Sequence, residues 1–143
     1  MIDLKAFIFE NGEKLITIKA YIYSFYYRYV VMHTEPKKLE ERLGVRGKES
    51  PERESKANLR KGKICAFHVN RITERLPWNE KCFVRALTLK RLLKEEGIPC
   101  IIYLGVENEM DGLHAHAWLR CGQIYLTGGN GMGKTIVAKF ASQ

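Results

Sequence analysis

Several things are missing from this sequence, and each absence narrows the reading. The N-terminus, Met1-Ile2-Asp3-Leu4-Lys5, has no basic region followed by an apolar run and a small-residue cleavage site, so no secretory signal is read there. Long hydrophobic runs are also lacking. Within the most apolar segment, Leu15 to Met32, the longest charge-free stretch is Ala20 to Tyr27, far short of the about 20 residues a membrane span needs. Cysteine is sparse, with Cys65, Cys82, Cys100 and Cys121 spread out and no C-x-x-C pair or histidine at zinc-finger spacing. This excludes a finger-type structural zinc site and leaves free thiols in a reducing cytoplasm as the expectation. No acidic residue follows Asp111, and Lys and Arg outnumber Asp and Glu by 24 to 16, a net charge of +8. That balance suits an acidic partner, whether peptide, nucleic acid or membrane surface, and equally a plain lysine-rich surface. With 143 residues, one domain with one modest core is expected.

Proline and glycine are absent from Glu80 to Glu96, where good helix formers dominate and Cys82, Ala86, Leu89 and Leu93 recur on one stripe. Asn79 is the expected N-cap. Gly97 and then Pro99 stop the helix, and Arg91 and Lys94 lie where the dipole favours cations. Cys82 therefore falls in the first turn, where unpaired backbone N–H groups should lower a thiol's pKa. Position alone does not make a nucleophile, because a lone cysteine on an apolar stripe is commonly a small buried hydrophobe.

Downstream, Leu113-His114-Ala115-His116-Ala117-Trp118-Leu119 alternates with period two, so His114, His116, Trp118 and Arg120 share one strand face. A thiol at a helix start followed by a histidine strand is the order a cysteine hydrolase needs, with the imidazole taking the thiol proton and returning it to the leaving amine. Between the two imidazoles the residues do not choose.

The remaining chain is read as follows. Leu15 to Met32, with five of the seven tyrosines, is a buried helix, or a strand on its β-branched and aromatic content. Lys37 to Leu43 is a short helix, and 45–55 an exposed, mobile loop. Lys56 to Leu76 is a helix in which His68 is a structural or surface histidine. Cys100 to Val106 is a strand, Glu107 to Gly112 a polar connection, Gly112 to Arg120 the histidine strand, and Gln123 to Leu126 a third strand. A helical half followed by an antiparallel meander is an α+β domain. Finally, Gly128 to Thr135 satisfies G-x-x-x-x-G-K-[ST], with Ile136 to Ala141 read as a following helix. A phosphate loop is the alternative function this suggests. However, only eight residues follow Thr135, leaving no strand to carry a magnesium-binding aspartate, and a glycine-rich turn is the simpler account. A third alternative is a non-catalytic basic module gripping nucleic acid through Lys56 to Arg75, although no nucleic-acid-binding motif is present.

Taken together, Leu76-Pro77-Trp78-x-x-x-Cys82-x-x-Arg85-Ala86-Leu87, Leu92-Leu93-x-x-x-Gly97-Ile98-Pro99, Leu104-Gly105-Val106 and Ala115-His116-Ala117-Trp118 make the chain resemble the transglutaminase-like leader peptidases of lasso-peptide biosynthesis, over about residues 60 to 130. The resemblance implies a papain/transglutaminase-like core at 59–143, its cysteine helix packed on an antiparallel sheet, behind a helical extension at 1–58. It implies that Cys82 attacks the bond between leader and core of a ribosomally made precursor, and that His116, which matches the motif histidine, serves as base and then acid. Neither metal nor cofactor is implied. Partners would be the leader peptide, a small leader-recognition protein and an ATP-dependent macrolactam cyclase. The pattern departs from the family at the third catalytic position, since an aspartate after the histidine is missing. Asn130 is the first candidate to orient the imidazole, with Thr127 and, from the preceding loop, Asp111 as others.

Overall fold

The computed structural model describes residues 12–77, 81–129, 131 and 134–142. Two expectations therefore lie outside the described residues, the Asn79 N-cap and the orienting role of Asn130.

Four helices are described: α1 (Gly12–His33), α2 (Pro36–Leu43), α3 (Lys56–Arg75) and α4 (Lys81–Glu95). Five strands follow the sheet order β1-β5-β2-β3-β4, where β1 is Val45–Arg46, β2 Ile101–Glu109, β3 Gly112–Cys121, β4 Ile124–Thr127 and β5 Thr135–Ala141. Every pairing is antiparallel. The α+β expectation holds, with the helices on one sheet face. Ala117, Leu119 and Cys121 of β3 and Phe140 of β5 join Leu87, Leu89 and Leu93 of α4 in one buried cluster. Each such leucine contributes on the order of 1.5–3 kcal/mol of burial.

The fold is centred on α4. Besides the predicted stripe, Val84, Leu87 and Leu92 are buried, because α4 is enclosed by α1, α3 and β3. Its end matches the sequence reading, with Gly97 N–H donating to Lys94 O (3.0 Å) and Ile98 N–H to Leu93 O (2.9 Å). The α3 helix begins at Ser55, whose hydroxyl accepts the Asn58 N–H at 3.2 Å. His68 is buried on α3 beside Thr17 and Arg71, consistent with a structural role.

In four places the structure corrects the sequence reading. The α1 segment is a helix, but only Ile16, Ala20, Ser24, Tyr27 and Val30 face inward, while Ile22, Phe25, Tyr29 and Met32 are each more than half exposed. An apolar sequence on all sides allowed full burial, yet only the α3/α4 side offers a partner. On that side Tyr23 donates to Glu95 at 2.9 Å and Arg91 stacks over its ring. The 45–55 loop is tied to the sheet at its start, since β1 pairs with β5 and Glu49 bonds both Arg120 and Lys139. Glu107 to Glu109 continues β2, and the hairpin turns at Met110-Asp111, so the polar connection is two residues long. The C-terminal segment is strand β5 inserted between β1 and β2, where a helix was expected. Its Thr135-Ile136-Val137 start is β-branched, and backbone pairing with β2 prevails over the motif's usual successor.

Candidate active site

The β2–β3 hairpin fixes the geometry of the site. Its two-residue turn makes Glu109 and Gly112 the first cross-strand pair, and the register then sets Glu107 opposite His114, Gly105 opposite His116 and Tyr103 opposite Trp118. These are the pairs that exchange backbone hydrogen bonds. Side chains of directly opposed residues share a face. One sheet face, turned away from the helices, thus presents Glu107, Glu109, His114, His116, Trp118 and Arg120 in order. Trp118 is fully buried there, stacked on Tyr103 with ring centroids 5.7 Å apart. Arg120 donates to the Tyr103 hydroxyl at 3.2 Å and fixes the floor.

Ala117 lies between them on the opposite face, paired with Leu104. This is a pair without mutual backbone bonds, so the Ala117 N–H points away from β2, toward the side where β4 has already ended at Thr127. Cys82 fills that place. Its sulfur comes close to the Ala117 backbone amide of β3 and to the Phe83 amide at the helix tip, both of which favour the thiolate. The thiol thus sits against the strand one residue beyond His116. Of the four free cysteines Cys82 is the least enclosed, for Cys65, Cys100 and Cys121 are at most 1% exposed. Burial drives those three up to about 11, about 12 and about 11. In Cys82 too burial is the largest influence and raises the pKa, with the Ala117 and Phe83 amides and the Arg85 charge pulling it back. The helix-tip effect expected from sequence is present, but desolvation outweighs it, and the resting group is a thiol.

His116 is partly buried. Its Nε2 lies 3.4 Å from Glu107 Oε2 and 3.6 Å from Glu109 Oε1, without a hydrogen bond to any described residue. His114 is engaged elsewhere, 2.7 Å from Asp111 Oδ1. That contact raises the imidazole pKa and lowers the carboxyl pKa. Two of the candidate orienters have other partners. Asp111 serves His114, and the Thr127 hydroxyl donates to Asn70 Oδ1 at 2.9 Å. Glu107 and Glu109 were missed because Glu-Asn-Glu reads as loop. The available signal was Asp111-Gly112, which marks a tight hairpin turn close by and extends the period-two pattern of β2 through both glutamates, although the turn residues are Met110 and Asp111.

The glycine-rich loop has a packing role. Gly128 has φ +78°, and a Cβ there would lie 2.4 Å from Ala117 O; a Cβ on Gly131 would lie 2.8 Å from Trp118 Cζ2. Gly128 and Gly131 pack against Trp118, and a strand follows from Thr135, so no helix N-terminus is there to hold a phosphate. A concavity of about 630 Å³ exists between α1, α2 and α4, lined by Arg42, Lys90, Arg91 and Lys94. It runs along α4 from Leu87 to Glu95, so its lining starts five residues, or about 8 Å of helix rise, past Cys82, and it is lined by neither Cys82 nor His116.

Helices packed on an antiparallel sheet, with a cysteine at a helix start and histidines on a neighbouring strand, are consistent with a transglutaminase-like domain. The sequence pattern of the transglutaminase-like superfamily matches residues 29–139, and the chain belongs to that superfamily, which includes cysteine peptidases. Comparison with curated proteins and with solved structures returns no match. Among the described residues no helix is long and apolar enough to cross a membrane.

Proposed function

We propose that this protein is a cysteine endopeptidase that removes the leader from a ribosomally made lasso-peptide precursor. The observation that carries the reading is the closeness of the Cys82 sulfur to the Ala117 amide, one residue along the strand from His116. The His116 imidazole takes the Cys82 proton as sulfur attacks the scissile carbonyl. The imidazolium then protonates the leaving amine, and the neutral imidazole activates water to release the acyl-enzyme. Glu107 and Glu109, near Nε2, stabilise the charge that forms on the ring. Because the resting thiol is neutral, His116 acts as a true base during attack. The Leu76-Pro77-Trp78-to-Cys82 and Ala115-His116-Ala117-Trp118 motifs support the lasso-peptide assignment, and the positive net charge suits an acidic leader. The exposed apolar face of α1 has the character of a partner-docking surface. On this reading it receives the small leader-recognition protein, with the ATP-dependent cyclase acting after cleavage.

The test is cleavage of precursor by purified protein with its recognition partner. Cys82→Ala abolishes turnover with the fold retained, His116→Ala is nearly as damaging, and His114→Ala is milder. Wild-type-like turnover in Cys82→Ala overturns the reading, and an inverted histidine ranking transfers the base to His114.

A further inference from the structure

The outer face of the β2–β3 hairpin brings together donors that no sequence motif joined. Glu107, Glu109 and His116 each offer a ligand atom within 4.8 Å of the other two. The separations are informative: 3.4 Å and 3.6 Å from Nε2 to the two carboxylate oxygens are too long for good hydrogen bonds. Donors bound tetrahedrally to zinc at about 2.0–2.2 Å stand roughly 3.3–3.6 Å apart. Furthermore, the Nε2 atom is itself shielded from solvent and has no hydrogen-bond partner among the described residues, so it faces the space between the carboxylates unpartnered. Two carboxylates and a neutral imidazole balance a divalent cation. All three sit on paired strands, whose register holds them at fixed spacing. The neighbouring trio Glu109, Asp111 and His114 is different in kind, because His114 and Asp111 are closed on each other at 2.7 Å and Asp111 is largely exposed.

We propose that Glu107, Glu109 and His116 bind a divalent cation of the zinc class, leaving the fourth position to water, and that occupation takes the imidazole out of acid–base use. The metal site stands independently of the peptidase assignment. Its inhibitory consequence rests on that assignment, through His116.

Isothermal titration of the full chain with zinc chloride near neutral pH tests the site directly. One equivalent binds, and Cys82→Ala binds equally well because the thiol is not a ligand. The Glu107→Gln/Glu109→Gln variant loses more affinity than the about 10–100-fold that removal of an outer-shell partner costs. Asp111→Asn/His114→Ala binds as wild type. Cobalt(II) on the wild-type protein gives the visible absorption of a four-coordinate centre with no thiolate charge-transfer band. Wild-type affinity in the double glutamine variant, whose folding is checked by circular dichroism, overturns the proposal, as does loss of binding in Cys82→Ala. In the cleavage assay zinc inhibits and a chelator restores activity; a metal that binds without inhibiting refutes the second half alone. Should Cys82→Ala still cleave while zinc binding follows the glutamates, the peptidase assignment fails and the metal site remains.

Discussion

Alkylation of Cys82 as a function of pH provides a sharp test of the electrostatics at the helix tip. Burial holds its thiol above the ordinary value of 9.0, against the partial help of the Ala117 and Phe83 amides. At pH 7 the resting group is therefore the thiol, because burial opposes its ionisation. The rate of iodoacetamide modification should be low at pH 7 and still rising at pH 9, with no plateau between. Intact-mass spectrometry with peptide mapping resolves the site, because Cys65, Cys100 and Cys121 are at most 1% exposed and stay unmodified in the native state. His116→Ala leaves the profile nearly unchanged, since a neutral thiol has no imidazolium to lose. A plateau already reached below pH 8 would refute the reasoning: the helix-tip amides would then outweigh burial, and the resting state would be a thiolate–imidazolium pair.

Two further outcomes concern stability. Gly128→Ala combines left-handed backbone strain of about 1–2 kcal/mol with a Cβ placed 2.4 Å from Ala117 O. Together these should cost about 2–4 kcal/mol, a fall in melting temperature of roughly 7–13 °C for a chain of this size, whereas Lys134→Ala shifts it by less than about 2 °C and calorimetry with ATP and magnesium gives no heat in either. Equal melting temperatures for Gly128→Ala and wild type would remove the packing account of the loop. The second outcome follows from the thiols of Cys65, Cys121 and Cys100, held at about 11, about 11 and about 12 in the fold. Folded values above the unfolded one mean that their contribution is complete below about pH 9 and is lost as pH rises through 11 to 12. Denaturant unfolding between pH 8 and 11 should show this decline, and Cys100→Ala should flatten it.

The parts of this molecule legible in its sequence are those governed by local chemistry. The α4 boundaries follow from Gly97 and Pro99 and from the lack of any breaker before them, and the shared face of His114, His116 and Trp118 follows from a period of two. What stayed hidden depends on pairing between distant segments. Glu107 and Glu109 look like loop residues until β3 is laid beside them. Thr135 to Ala141 follows a phosphate-loop pattern, and only the open edge of β2 makes it a strand. The exposure of Phe25 and Tyr29 on α1 was equally illegible, because an apolar residue carries no mark of whether a neighbour arrives to cover it.

The shortness of β4 connects fold to chemistry. A thiol on the helical side of the sheet and an imidazole on the other side can cooperate only where no strand separates them, and an uninterrupted neighbour along β3 would seal the Ala117 amide in a backbone ladder. β4 ends at Thr127, paired with Leu119, and Gly128 turns the chain aside at φ +78°. The amide so released is the one that meets Cys82. The glycines of the loop thus have two linked consequences, since they allow the chain to close over Trp118 and they end the strand early enough for the helix tip to reach the histidine strand at its edge. A side chain at Gly128 would disturb the thiol as well as the fold, so in Gly128→Ala the loss of stability and the change in Cys82 reactivity should appear together.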